Sequence, residues 1–130
     1  MGLFDKFKSQ RNSVKEEIKE LQWIALEREE QVNEIAEISA TIPVLIFKHS
    51  TTCGISRMAL KQFEKEYDLD EKTVKPYFLD LKQYRSLSNL VASHFGVHHE
   101  SPQILLIKNG KAVYNESHGG ISVGAVKEKL

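Results

Sequence analysis

The chain has 130 residues, and its 18 lysines and arginines equal its 18 aspartates and glutamates, so the formal net charge is zero. This length suits a single domain with a hydrophobic core of its own, and the charge balance argues against a nucleic-acid or membrane-surface protein. The one cysteine, Cys53, excludes an intrachain disulfide. No apolar run approaches the roughly 20 residues of a membrane span. We therefore expect a protein of the reducing cytoplasm, where a free thiol survives.

Residues 1–21 have the pattern of an amphipathic helix set apart from the domain that follows, residues 22–130. Charged residues interrupt the apolar core that a secretory signal would need. We expect this helical extension to pack on the protein's own core; a coiled-coil contact with a partner or a second copy, and a membrane-surface helix, are the alternatives. The apolar residues that recur at steps of three and four, with Arg11 at the one polar step, are Phe4, Phe7, Val14, Ile18 and Leu21.

The first half of the main domain alternates short strands with helices. Residues 23–26 read as a short strand, and residues 29–39 carry apolar side chains at helical spacing. Pro43 ends that stretch, and the continuous apolar run at residues 44–47 is typical of a central strand buried on both faces. Apolar residues at helical spacing then predict a helix at residues 54–67.

The second half continues the alternation and closes with a hairpin and a helix. Asn109-Gly110 is a strong signal for a two-residue turn between antiparallel strands. The complete order, β-α-β-α-β-α-β-β-α, predicts an α/β fold with a mixed central sheet and helices on both faces. The predicted elements of this half are a strand at 77–81, a helix at 87–95, strands at 104–107 and 112–115, and a helix at 123–130.

Cys53 falls in the loop between the predicted central strand and the helix after it. Ligand sites of open α/β sheets lie there, beyond the carboxyl ends of the central strands. At a helix amino terminus, the macrodipole and the unpaired N–H groups favour the thiolate form of a cysteine. Lys48 adds positive charge, Thr52 and Ser56 add hydroxyl donors, and no acidic residue lies between positions 47 and 64. The loop is therefore expected to hold an anion, either a reactive thiolate or an anionic ligand.

Two other interpretations of Cys53 carry less weight. Lone cysteines are often inert apolar residues of a core, but a core cysteine would be expected inside an apolar strand or on the apolar face of a helix. His49 together with Cys53 offers two metal ligands, and the adjacent His98 and His99 point opposite ways in an extended chain. Because no full set of four zinc ligands is visible, no metal site is expected.

Three separated motifs resemble the monothiol bacilliredoxins, the YtxJ-like redox proteins of the bacillithiol system in Gram-positive bacteria. They are FKHSTTCGIS at residues 47–56, ESPQ at residues 100–103 and SH at residues 117–118, and the resemblance extends over about residues 23–130. It implies a thioredoxin-like fold. It also implies that the thiolate of Cys53 attacks the mixed disulfide between a protein cysteine and bacillithiol, so that bacillithiol is transferred to Cys53.

The same resemblance implies that Ser56 occupies the position at which a dithiol redoxin carries its second, resolving cysteine. A serine hydroxyl has no comparable redox chemistry, so a second small thiol or another redoxin must complete the cycle. The partners implied are S-bacillithiolated proteins, with bacillithiol as the low-molecular-weight thiol co-substrate. We expect no nucleic acid, membrane or metal partner, and a monomer or a weak dimer.

The resemblance further implies a thiol-binding surface around Cys53. The Ser101-Pro102 bond is expected to be cis, with the Ser101 backbone facing Cys53 and pairing with substrate backbone. Gly119-Gly120 would leave N–H groups for a malate carboxylate of bacillithiol; an ordinary capped turn from hairpin to helix is the alternative. The complete implied set is Lys48, Thr52, Gly54, Ile55, Ser56, Ser101, Pro102, Gly119, Gly120 and Ser122.

Two functions of other classes are the alternatives to this oxidoreductase. Residues 53–56, with the sequence CGIS, differ by one residue from the CGFS signature of the monothiol glutaredoxins that carry an iron–sulfur cluster. A brown protein after anaerobic purification would favour such a carrier. The other alternative is a non-catalytic adaptor that recruits a partner through residues 1–21. Cys53→Ser would then leave its function intact, whereas deletion of the extension would abolish it.

Overall fold

The computed structural model describes residues 21–130. The helix predicted at residues 1–21 therefore lies outside the described residues, except for its last residue. The described elements follow the predicted order. They are β1 (Ile24–Ala25), α1 (Glu30–Ile38), β2 (Val44–His49), α2 (Gly54–Glu66), β3 (Lys75–Asp80), α3 (Arg85–Phe95), β4 (Gln103–Lys108), β5 (Lys111–Ser117), a short 3-10 turn (His118–Gly120) and α4 (Val123–Lys129).

Five strands form one mixed sheet in the order β1-β3-β2-β4-β5. The strands β1, β3 and β2 run parallel, whereas β4 is antiparallel to β2 and β5 is antiparallel to β4. The predicted α/β architecture with a mixed sheet is confirmed. Asn109 and Gly110 join β4 to β5 as predicted, and their φ values of 53° and 76° are the left-handed conformation that a two-residue hairpin turn requires.

The central strand β2 extends two residues beyond its apolar run. Lys48 pairs with Leu79 and His49 with Asp80 on β3, while Lys48 also lies opposite Gln103 of β4. Because neighbouring strands hold the backbone on both sides, two polar side chains do not end the strand, and both of them are buried. This corrects the prediction that the strand ends at position 47.

Alternate side chains of β2 enter hydrophobic cores on opposite faces of the sheet. Ile46 packs in one core with Ile35 of α1 and Val91 of α3. Phe47 packs in the other core with Phe63 of α2, together with residues of α4. Helices therefore cover both faces of the sheet, which is why the run at residues 44–47 is continuously apolar.

The topology brings three chain segments to one end of the sheet. The loop that carries Cys53 leaves from the carboxyl end of β2. Ser101-Pro102 immediately precedes β4, whose first residue, Gln103, pairs with Lys48 near that same end of β2. The turn His118–Gly120 follows the end of β5, beside the start of β4. The three motifs that are separated in the sequence therefore lie at the same end of the sheet.

Candidate functional site

Cys53 is the residue that caps the amino terminus of α2. Its backbone is extended, with φ −103° and ψ 121°, and the side chain is a half-buried free thiol. The Cys53 N–H donates to the carbonyl of Ser50 at 3.2 Å, and its carbonyl accepts from the N–H of Arg57 at 3.0 Å. The first turn of this 13-residue helix contains no acidic residue. The sulfur therefore stands at the amino-terminal, positive end of a helix, as the sequence predicts.

Ser56 forms hydrogen bonds with the segment that leads from β2 to Cys53. It is completely buried, and its Oγ accepts from the backbone N–H of Ser50 at 3.0 Å. The same Oγ lies 2.8 Å from Nδ1 of His49, the last residue of β2. Burial is the main cause that lowers the pKa of His49, so its imidazole is neutral at pH 7. Ser56 therefore ties the strand to the loop and does not face a ligand, which removes it from the expected thiol-binding set.

His49 is the site residue that sequence reasoning missed in this role. The available signal was a histidine at the end of a buried strand, seven residues before a serine in a first helical turn. Its ring also packs 5.5 Å from the ring of Phe78. Neither contact follows from the local sequence pattern, because both depend on how the strand, the loop and the helix meet.

Lys48 points away from Cys53, into the core between the sheet and α3. Its side chain is fully buried, and Nζ donates to the carbonyl of Ser88 at 3.3 Å and lies 3.3 Å from Nδ1 of His99. Burial lowers the pKa of Lys48 to about 8. Side chains alternate along a strand, so Lys48 takes the α3 face while its neighbour His49 takes the α2 face. The expected role of Lys48 as a ligand for a carboxylate is therefore not supported by its placement.

The segment before β4 forms the second part of the site. The Ser101-Pro102 peptide bond is cis, as the resemblance implies. Pro102 is buried, and its carbonyl accepts from the N–H of His118 at 3.0 Å. The hydroxyl Oγ of Ser101 is buried and has no hydrogen-bond partner among residues 21–130. This hydroxyl lies beside the cis-proline and is closed off from the surface.

The turn after β5 forms the third part of the site and packs against α2. His118 has a φ of 53°, and its Nδ1 lies 3.8 Å from the carboxylate of Glu100. A hydrogen bond with Ser117 is the main cause that lowers the pKa of Glu100. Ser122 caps α4, as predicted, because its side chain accepts from the N–H of Ala125 at 3.1 Å.

The two glycines of this turn differ in their surroundings. A Cβ built on Gly120 would lie 2.6 Å from Cδ of Glu116, whose Oε1 accepts from the N–H of Ser117 at 3.0 Å. A Cβ on Gly119 would meet nothing within 4 Å. A side chain at position 120 would therefore displace the flexible side chain of Glu116, whereas position 119 has open space.

We expect Gly120→Ala to lower the free energy of unfolding by about 1 kcal/mol, because Glu116 must move and its hydrogen bond to the backbone is lost. Gly119→Ala is the matched control and should change that free energy by less than half as much. Urea unfolding of the two variants measures the difference. Equal losses would show that the contact between Gly120 and Glu116 does not decide the choice of glycine.

The surface immediately around the sulfur is open. Thr52, Gly54 and Ile55 are exposed on either side of Cys53, and Arg57 is exposed one turn into α2 with Nη1 3.4 Å from the carbonyl of Thr51. Within residues 21–130, no group of three or more His, Cys, Asp or Glu side chains is arranged to hold a metal ion. No helix in that part of the chain has the length and apolar character to cross a membrane.

A family model described as monothiol bacilliredoxin BrxC matches residues 24–126. The chain belongs to the monothiol bacilliredoxin family. A solved structure described as a candidate oxidoreductase with a thioredoxin fold is 37% identical to it, with a TM-score of 0.69 over 81% of this chain and 90% of that chain. The resemblance that the three sequence motifs indicate is therefore confirmed.

Two thioredoxins show the same fold at lower identity. The thioredoxin of Malassezia sympodialis, Mala s 13, is 18% identical, with a TM-score of 0.63 over 83% of this chain and 87% of that chain. Thioredoxin O2 of Arabidopsis thaliana in its oxidised state is 20% identical, with a TM-score of 0.59 over 82% of this chain and 90% of that chain. The bacilliredoxin-family chain thus has a thioredoxin fold.

Proposed function

We propose that this chain is a monothiol oxidoreductase that removes bacillithiol from S-bacillithiolated protein cysteines, with Cys53 as the attacking thiol. The observation that carries the proposal is the accessible thiol of Cys53 at the start of α2, in a chain of the monothiol bacilliredoxin family. The family and the thioredoxin fold support thiol oxidoreductase chemistry in general. The choice of bacillithiol as the small thiol is the further step.

The reaction needs two thiol–disulfide exchanges. In the first, the Cys53 thiolate attacks the bacillithiol sulfur of the mixed disulfide; a bond between Cys53 and bacillithiol forms, and the protein cysteine leaves as a thiolate. In the second, the thiolate of another bacillithiol attacks the same sulfur, which frees Cys53 and produces oxidised bacillithiol. Electrons balance in both steps, because each step breaks one disulfide and forms one. Ser56 cannot replace the second bacillithiol, because a hydroxyl has no sulfur to exchange with the disulfide.

Three features support small-thiol binding beside Cys53. The buried hydroxyl of Ser101 has no partner among residues 21–130, so it could donate to or accept from a bound thiol next to the cis-proline once the atoms that cover it move aside. The backbone of Gly119-Gly120 lies in a turn against α2. Arg57 supplies an exposed cation at the first turn of α2, in place of the buried Lys48. We propose that Thr52, Gly54 and Ile55 form the rest of this exposed rim.

We also propose that the protein works in the reducing cytoplasm, because its cycle depends on a pool of reduced small thiol. The structure holds Cys53 as a free thiol, without a second cysteine in the chain. Its substrates would be cytoplasmic proteins that become S-bacillithiolated under oxidative stress. A chain with one cysteine cannot release the bound small thiol by forming an internal disulfide. Each turnover therefore needs a second molecule of small thiol to free Cys53.

Mass spectrometry of the intact protein tests this proposal. After treatment with oxidised bacillithiol at pH 7, we expect one adduct of one bacillithiol on Cys53, which reduced bacillithiol releases. The same experiment with Cys53→Ala should give no adduct. A bacillithiolated model protein should lose its modification with the wild-type chain and not with the variant. Absence of the adduct, or equal rates for both chains, would contradict the proposal.

A further inference from the structure

A shallow groove runs along α2 on one side of Cys53. Its volume is about 690 Å³, and it is lined by His49 at the end of β2 and by residues of α2. Most of the helix residues in its wall recur at steps of three and four, which places them along one helical face. They are Gly54, Ile55, Arg57, Met58, Leu60, Lys61 and Glu64.

The rim of this α2 groove carries two exposed apolar side chains. Ile55 is 63% exposed and Met58 is 73% exposed, and both lie within five residues of Cys53. The other large apolar side chains that are exposed in residues 21–130 are Val113 and Leu130, on β5 and at the carboxyl terminus. Exposed apolar residues that adjoin a reactive group indicate an interaction surface, and methionine adapts to differently shaped partners.

The charge on the groove is positive although the whole chain is neutral. Arg57 and Lys61 are exposed four residues apart on the same helical face. The one acidic residue in the wall, Glu64, accepts from the indole N–H of Trp23 at 2.7 Å. Neither basic residue forms an ion pair with a residue in the 21–130 part of the chain. The groove therefore matches a partner that is apolar and acidic.

We infer that the α2 groove binds the polypeptide next to the reacting disulfide of a substrate protein, and that it prefers a segment with an apolar side chain and a carboxylate close to the modified cysteine. This inference rests on the proposed function for the identity of the substrate. It adds a criterion by which substrates are selected. The apolar side chain contacts Ile55 and Met58, and the carboxylate contacts Lys61.

The distances along α2 set the spacing of such a segment. Lys61 follows Cys53 by eight residues, which corresponds to about 12 Å along a helix. An extended chain advances about 3.3 Å per residue, so about four residues cover that distance. The preferred segment therefore carries its apolar residue about two positions from the modified cysteine and its acidic residue about four positions from it.

Methionine-methyl NMR on the full chain tests the binding step without any thiol chemistry. The chain contains two methionines, Met1 and Met58, and a Met58→Leu variant assigns the signals. Two short peptides serve as probes; they share their apolar residues, replace the reacting cysteine by serine, and carry either glutamates or lysines. We expect the Met58 signal to shift with the glutamate peptide and to shift much less with the lysine peptide. In the Lys61→Glu variant, the lysine peptide should cause the larger shift.

Kinetics with two corresponding peptides that keep the cysteine, in its S-bacillithiolated form, test the consequence. We expect kcat/KM to be roughly fivefold higher for the glutamate peptide at low salt, as for an interaction between exposed charges, with a smaller ratio at high salt. Met58→Ser should lower kcat/KM for both peptides by about tenfold. Lys111→Glu and Val113→Ser make the same kinds of change on β5, outside the groove, and should leave the values unchanged.

The two experiments separate this inference from the proposed function. If the Met58 signal shifts as expected but neither peptide loses its bacillithiol, the docking surface is supported and the proposed function fails. If both peptides react but the Met58 signal does not shift, or shifts equally with both, the docking surface is overturned and the proposed function stands. A loss in Val113→Ser as large as that in Met58→Ser would also overturn it.

Discussion

A Ser56→Ala variant is expected to lose about 3 kcal/mol of unfolding free energy and to form the bacillithiol adduct about tenfold more slowly. The methyl group cannot replace the two contacts of Oγ, so the N–H of Ser50 and Nδ1 of His49 both lose a partner. Each unsatisfied group in a buried position costs about 1–3 kcal/mol. The adduct forms more slowly because this oxygen is a buried link between α2 and the loop that carries Cys53, and the remaining links run through the exposed Arg57.

Urea unfolding and timed mass spectrometry measure the two effects. Ser93→Ala is a suitable control, since the Ser93 hydroxyl is exposed on α3 and bonds only to the carbonyl of Leu90. That variant should change the unfolding free energy by less than about 0.5 kcal/mol. If Ser56→Ala is as stable as the wild type, the bonds to His49 and Ser50 do not hold the loop. If it is unstable but reacts at the normal rate, the loop does not limit the chemistry.

A Lys48→Met variant is expected to be more stable than the wild type by about 3 kcal/mol at pH 7. Lys48 is fully buried, and its pKa falls from 10.5 in the unfolded chain to about 8. A decrease in pKa of this size corresponds to about 3 kcal/mol of unfolding free energy. Methionine fills a similar volume without a charge, and therefore avoids this desolvation cost.

The pH dependence identifies the cause. Between pH 8 and 10.5 the unfolded chain keeps the lysine proton while the folded chain has lost it. The unfolded state then binds more protons than the folded state. The contribution of Lys48 to the unfolding free energy of the wild type therefore rises with pH. The advantage of Lys48→Met should therefore be complete below pH 8 and disappear by about pH 10.5.

Denaturant unfolding of both chains at several pH values checks this expectation. Lys82→Met is the control, because Lys82 is exposed in the turn after β3; its effect should be small and should not change in this way with pH. A Lys48→Met variant that is less stable than the wild type at pH 7 would show that the contacts of Nζ with Ser88 and His99 exceed the cost of burial. An advantage that does not decline with pH would exclude the charge as its source.

The fold of this chain could be predicted largely from local patterns. An apolar run of four residues at 44–47 predicts a strand that is covered on both faces, and the structure confirms it. Helical spacing predicts α1, α2 and α3, and Asn109-Gly110 predicts the hairpin turn. Local patterns predict the ends of elements less accurately, because a strand such as β2 continues for as long as neighbouring strands pair with it. Lys48 and His49 are the example.

The candidate site was predicted in part. Cys53 at the start of a helix and the cis bond before Pro102 agree with the expectation. Lys48 and Ser56 have the right charge and polarity for ligand binding, but the structure buries both. Charge and polarity are properties of a residue type, whereas the direction of its side chain depends on strand alternation and on partners elsewhere in the fold.

By itself, the sequence determined the order of strands and helices, the place of the single thiol between a central strand and a helix, and the family to which the chain belongs. Each of these depends on residues close together in the chain or on motifs that can be compared directly. Only the tertiary structure decided that Lys48 meets Ser88, forty positions away, and that His49 and Ser56 share a hydrogen bond. The physical reason is that such contacts arise when separate elements pack, and no local pattern of side chains specifies which partner a buried polar group will find.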